Sequence, residues 1–73
     1  MTLNNMSLII DKKTAARIRH IRRSKDLTQV RVAKVLKISQ GAYSRMEAGK
    51  LSPQIPVTRF LKALKIQGNE LFT

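Results

Sequence analysis

Two hydroxyl–glutamine pairs eleven residues apart, Thr28-Gln29 and Ser39-Gln40, constrain this chain more than anything else in it. A hydroxyl side chain just before a periodic stretch caps a helix by accepting a free backbone N–H of its first turn. Two such starts so close together leave room for one helix of about eight residues, Gln29 to Leu36, a tight turn at Lys37-Ile38, and a second helix from Gln40 to about Ala48. Gly49 then stands where a helix that stops abruptly favours glycine. Val32, Val35 and Leu36 point the first of these helices inward, with Ala33 small enough for a close helix contact. Ile38, Tyr43 and Met46 anchor the turn and the second helix.

The flanking sequence extends the same pattern. Asp11 is a further cap, and a helix from Lys12 to about Lys25 places Ala15, Ile18, Ile21 and Arg22 on one face. Pro56 suits the first turn of a later helix with the stripe Val57, Phe60, Leu61 and Leu64. Gln67-Gly68-Asn69 reads as a turn, followed by a short helical turn at Glu70-Leu71-Phe72. The expected fold is all-α: a compact bundle of four to five helices over residues 12–73, preceded by an N-terminal arm at 1–11. Leu8-Ile9-Ile10 is the apolar part of that arm, either a free tail or a segment that pairs with another subunit.

Composition narrows what such a bundle does. Fifteen Lys and Arg stand against four Asp and Glu, a net charge of +11 on 73 residues. Repulsion on that scale destabilises a compact chain unless a polyanion neutralises it. Nucleic acid is therefore the expected partner. There is no cysteine and one histidine, His20. Neither a thiolate metal site nor a nucleophile with its base can be assembled, so no enzyme, metal or cofactor is expected. The longest apolar runs are too short to span a membrane, and the basic segments are too short for an amphipathic membrane helix.

A steep two-helix unit reads DNA when the N-terminal half of its second helix enters the major groove. Gln40, Gly41 and Ala42 leave that end free of bulk. A glutamine can bond adenine through N6 and N7, and an arginine such as Arg45 can bond guanine through O6 and N7.

The chain resembles the phage-repressor and Cro-like helix-turn-helix family, also called XRE-like. The matching residues are Ile18-Arg19, Arg22, Leu27-Thr28-Gln29, Val32-Ala33, Leu36, Ile38-Ser39-Gln40, Tyr43 to Glu47, Gly49-Lys50 and Pro53, then Phe60-Leu61, Ala63-Leu64, Ile66 and Leu71-Phe72. The resemblance implies a lambda-repressor-like domain that binds double-stranded DNA as a homodimer on a palindromic operator, as a cytoplasmic, nucleoid-associated repressor. It implies that Gln29 contacts a phosphate, that Gln40 reads a base, that Gly41, Ser44 and Arg45 set the preferred sequence, and that Lys50 touches the backbone. It also implies a largely buried salt bridge between Arg22 and Glu47. From its own chemistry Tyr43 is expected in the core, with a phosphate contact by its hydroxyl as the alternative.

An alternative within the family is an antitoxin, which binds DNA and a toxin. Leu8-Ile9-Ile10 is then the candidate docking segment. A module that recruits transcription machinery without reading sequence is a third reading. Three positions depart from the family pattern. Lys37 replaces the usual turn glycine, Val30-Arg31 stands where acidic residues are usual, and Gly41 carries no side chain with which to read a base.

Overall fold

A computed structural model of the chain describes residues 9–71. All its regular elements in that span are helices: α1 Lys12–Ser24, α2 Gln29–Leu36, α3 Gln40–Glu47, α4 Val57–Leu64 and α5 Gly68–Leu71. The all-α expectation holds. Met1 to Leu8 of the expected arm, and Phe72, lie outside the described residues.

The helices start where capping chemistry places them. Asp11 Oδ1 accepts from the Thr14 N–H at 2.7 Å, Thr28 Oγ1 from Arg31 at 3.1 Å and Ser39 Oγ from Ala42 at 3.1 Å. Each bond satisfies one of the N–H groups that a first helical turn leaves without a partner. The Glu70 carboxylate reaches back to the Gln67 N–H at 2.8 Å and caps α5 in the reciprocal way.

The first four helices end alike. Past each one, a residue in the left-handed conformation is followed by one whose N–H reaches five residues back. Leu27 bonds the Arg22 carbonyl at 3.1 Å, Ile38 bonds Ala33 at 3.1 Å, Lys50 bonds Arg45 at 2.9 Å and Ile66 bonds Leu61 at 3.0 Å. The left-handed residues are Asp26 (φ 56°), Lys37 (φ 61°), Gly49 (φ 75°) and Lys65 (φ 56°). This double closure is the Schellman arrangement, which an apolar contact by the last residue reinforces. Leu27 and Ile66 are buried, and Ile38 packs against the core. Lys37 therefore does adopt the conformation usually given to glycine, at a strain of about 1 kcal/mol.

The core gathers one stripe from each helix. Ile18, Val32, Tyr43, Met46, Phe60 and Leu64 are wholly buried. Each large apolar side chain so buried contributes about 1.5–3 kcal/mol relative to exposure. Packing against both α3 and α4 places α2 between them, while α1 braces the same two helices from the other side. The chain before α1 joins this core. Ile10 is buried, and its N–H donates to Ser52 Oγ at 2.9 Å, whereas Ile9 stands in solvent. Nothing in the local spacing of residues 8 to 10 distinguishes these two roles, since the contact that separates them spans 42 residues.

Candidate nucleic-acid interface

α3 has two faces of opposite character. Tyr43, Met46 and Glu47 are buried against α1 and α2. Gln40, Gly41, Ser44, Arg45 and Ala48 are all exposed and recur at spacings of one, three and four, so they form one continuous outer strip. The structure thus brings together four of the expected DNA-contacting residues. Lys50 is exposed immediately beyond, held in place by the bond from its own N–H to the Arg45 carbonyl. α3 ends at Glu47, with Ala48 as its cap, one residue earlier than the sequence suggests.

The buried face is tied down by an ion pair. Arg22 Nε donates to Glu47 Oε2 at 2.6 Å and Arg22 Nη2 to Glu47 Oε1 at 3.2 Å. This forked contact uses the planar geometry that guanidinium and carboxylate share. The third nitrogen, Nη1, donates to the Leu27 carbonyl at 2.8 Å, just before α2 starts. From further along α1, Arg19 Nη1 donates to the backbone carbonyl of Glu47 at 3.3 Å. The Arg22–Glu47 pair therefore fixes the mutual placement of α1, the α1–α2 junction and α3.

Burial alone would raise the Glu47 carboxyl, but the Arg22 hydrogen bond, the Tyr43 hydroxyl beside it, the Gln29 amide and the Arg22 charge outweigh it and hold the group below its ordinary range. The bond to Glu47 correspondingly raises Arg22, against the opposing effect of burial. Tyr43 lies beside the pair. Burial first, and then the Glu47 carboxylate, push its phenol well above the ordinary value. Its hydroxyl makes no well-formed hydrogen bond to the described residues. Tyr43 is a core residue, buried too fully to reach a phosphate in this conformation.

Gln29 occupies a place that the sequence does not disclose. It is half-buried at the start of α2, and its Nε2 donates to Glu47 Oε1 at 3.1 Å. Gln29 and Glu47 are 18 residues apart on different helices, so no local signal announces the contact. Among the described residues, no group of three or more His, Asp or Glu is placed to hold a metal ion. No described helix is long and apolar enough to cross a membrane.

Five short helices, the capped pair α2–α3 and the exposed strip on α3 together define the helix-turn-helix class. The chain matches the family model described as the helix-turn-helix domain over residues 15–71, and it belongs to that family. The XRE-like resemblance fits this match. The chain is also similar to a solved structure, the crystal structure of a tyrosine-to-phenylalanine mutant of the restriction-modification controller protein C.Esp1396I. The TM-score is 0.75 at 22% identity, covering 92% of this chain and 86% of that one. That likeness is one of fold. No curated protein matches the chain. By its family the protein is a helix-turn-helix DNA-binding protein.

Proposed function

We propose that the protein is a sequence-specific repressor that occupies a palindromic operator as a homodimer, with α3 as its recognition helix. The observation that carries this is the outer strip of α3. The Gln40, Ser44 and Arg45 side chains face solvent together with Gly41 and make no side-chain hydrogen bond to the described residues, while the helix is clamped to the core from behind. Side chains of this kind, on a rigid support and left unpaired, are what base-edge recognition needs.

Gln40 and Arg45 read bases, Ser44 adds a short-range contact, and Gly41 allows close approach. Gln29 and Lys50 contact phosphates on either side. Eight helical residues span about 12 Å, enough for one half-site, and two copies related by a two-fold axis supply the rest. The net charge of +11 adds strong, salt-sensitive attraction to the duplex backbone. The repressor reading is preferred to the antitoxin reading. Ile10, one third of the candidate toxin-docking segment Leu8-Ile9-Ile10, belongs to the core and is not available to a partner, while Ile9 is exposed.

The test is binding to DNA from the region upstream of its own gene and to a scrambled duplex of equal length, at about 50 and 200 mM salt. A preference of about 10³ or more that persists at the higher salt is expected. Gln40→Ala and Arg45→Ala should remove most of that preference. Equal, salt-sensitive binding to both duplexes, unaffected by the two substitutions, would overturn sequence reading through α3.

A further inference from the structure

The contact between Gln29 and Glu47 joins two parts of the molecule that are otherwise read separately, the core ion pair and the DNA-facing start of α2. We propose that Glu47 is a positioning residue for DNA binding, holding the Gln29 amide in the orientation in which it meets a phosphate. The inference rests on the reading of Gln29 as a phosphate contact.

A carboxylate can only accept hydrogen bonds, so the amide group of Gln29 must turn its nitrogen, not its oxygen, toward Glu47. That settles the orientation of the amide. One of its two N–H groups is given to Glu47 Oε1, and the other has no partner among the described residues. A phosphate also only accepts, so the second N–H is the group it requires. With the amide reversed, the glutamine oxygen would face the phosphate and repel it.

The carboxylate is itself immobile. Arg22 engages both its oxygens and it is buried, so the constraint passes from α1 through Glu47 to the first residue of α2. A free glutamine must freeze three side-chain torsions on binding, and one already held by Glu47 has fewer left to lose. The oxygen that receives Gln29 is also the one bonded by Arg22 Nη2. Glu47→Gln with its oxygen kept on Arg22 Nε, the shorter of the two ion-pair bonds, turns its own NH2 toward the Gln29 nitrogen, and two donors that face each other repel.

The experiment measures affinity for a mixed-sequence duplex of about 20 base pairs at about 50 mM salt, using the full chain, Gln29→Met, Glu47→Gln and the double variant. Circular dichroism and thermal melting confirm that each is folded at the binding temperature. Each single substitution is expected to weaken binding about three- to tenfold, and the double variant is expected to be no weaker than the weaker single one. Losses that multiply would overturn the proposal, as would a folded Glu47→Gln that binds like the parent while Gln29→Met is weakened. Either result leaves the Gln29 contact standing. Undiminished binding by Gln29→Met would remove that contact, and the inference with it.

A second measurement needs no variant. In the nuclear magnetic resonance spectrum of the parent protein, one Gln29 Nε2 proton should be displaced from the free-glutamine position and stay fixed when the duplex is added, while the other moves. Two protons at ordinary free-glutamine positions would overturn the proposal whatever the fate of Glu47→Gln.

Discussion

The two faces of α3 follow different rules, although they alternate along the same eight residues. Inward, Tyr43, Met46 and Glu47 are held by packing and by a forked ion pair. Outward, Gly41 and the Gln40, Ser44 and Arg45 side chains are exposed to solvent. The contrast teaches that this helix owes its place to one side and its purpose to the other. Substitutions inward should register as stability, and substitutions outward as affinity.

The largest expected effect is inward. Glu47→Ala leaves the Arg22 guanidinium buried beside the Leu27 carbonyl alone and should lower stability by about 3 kcal/mol, read from urea unfolding. A loss below about 1 kcal/mol would mean that solvent reaches Arg22 more readily than its burial implies, and the distinction between the faces would blur.

The same pair gives a pH dependence. Glu47 is held below its ordinary carboxyl value of 4.5. A carboxyl depressed by folding adds stability that is complete above its unfolded value and is lost as pH falls through its folded value. Stability should therefore fall as the solution is acidified from about pH 4.5 downward. Glu47→Gln should flatten that part of the curve. If the variant shows the same acid limb as the parent, the other carboxylates carry it.

How much of this was legible in the residues depends on how local each cause is. Asp11, Thr28 and Ser39 announced three helix starts because a cap acts within three residues. Gly49 announced the end of α3 for the same reason. The end of α1 was legible as a break in the apolar spacing at Asp26-Leu27, whereas Lys65 did not announce the end of α4, although both Asp26 and Lys65 take the left-handed turn. There the closure is secured by the next residue, Leu27 or Ile66, sinking into the core, so the signal is an isolated apolar residue after a polar one. Ile10 was hidden differently, because its burial depends on Ser52, 42 residues away. Gln29 was placed at the start of α2 but not on Glu47, because that contact exists only once α1, α2 and α3 have packed.

The outer face supplies the next effect. Arg45→Ala and Gln40→Ala should change unfolding free energy by less than about 0.5 kcal/mol, as surface substitutions do. Each should nonetheless cost about 1–3 kcal/mol in discrimination between the preferred DNA and a scrambled duplex, measured by competition. A stability loss above 1 kcal/mol at either position would show that the outer face also supports the fold.

Gly41 sharpens the comparison most finely, because there the two demands oppose each other. It lies inside a helix, where glycine is less favourable than alanine by about 0.5–1 kcal/mol. Its backbone is not in the left-handed region, and a Cβ built on it meets no atom within 4 Å. Gly49 differs on both counts, with φ 75° and a Cβ position 2.9 Å from Lys12 Cγ. The fold therefore requires glycine at 49 and has no use for it at 41. Gly41→Ala should raise stability by about 0.5–1 kcal/mol in urea unfolding. If the missing side chain exists so that the duplex can approach the helix backbone, the same substitution should weaken binding to the preferred DNA by about 1 kcal/mol or more through overpacking. A variant that gains stability and binds as well as its parent would make position 41 silent and confine base reading to Gln40, Ser44 and Arg45.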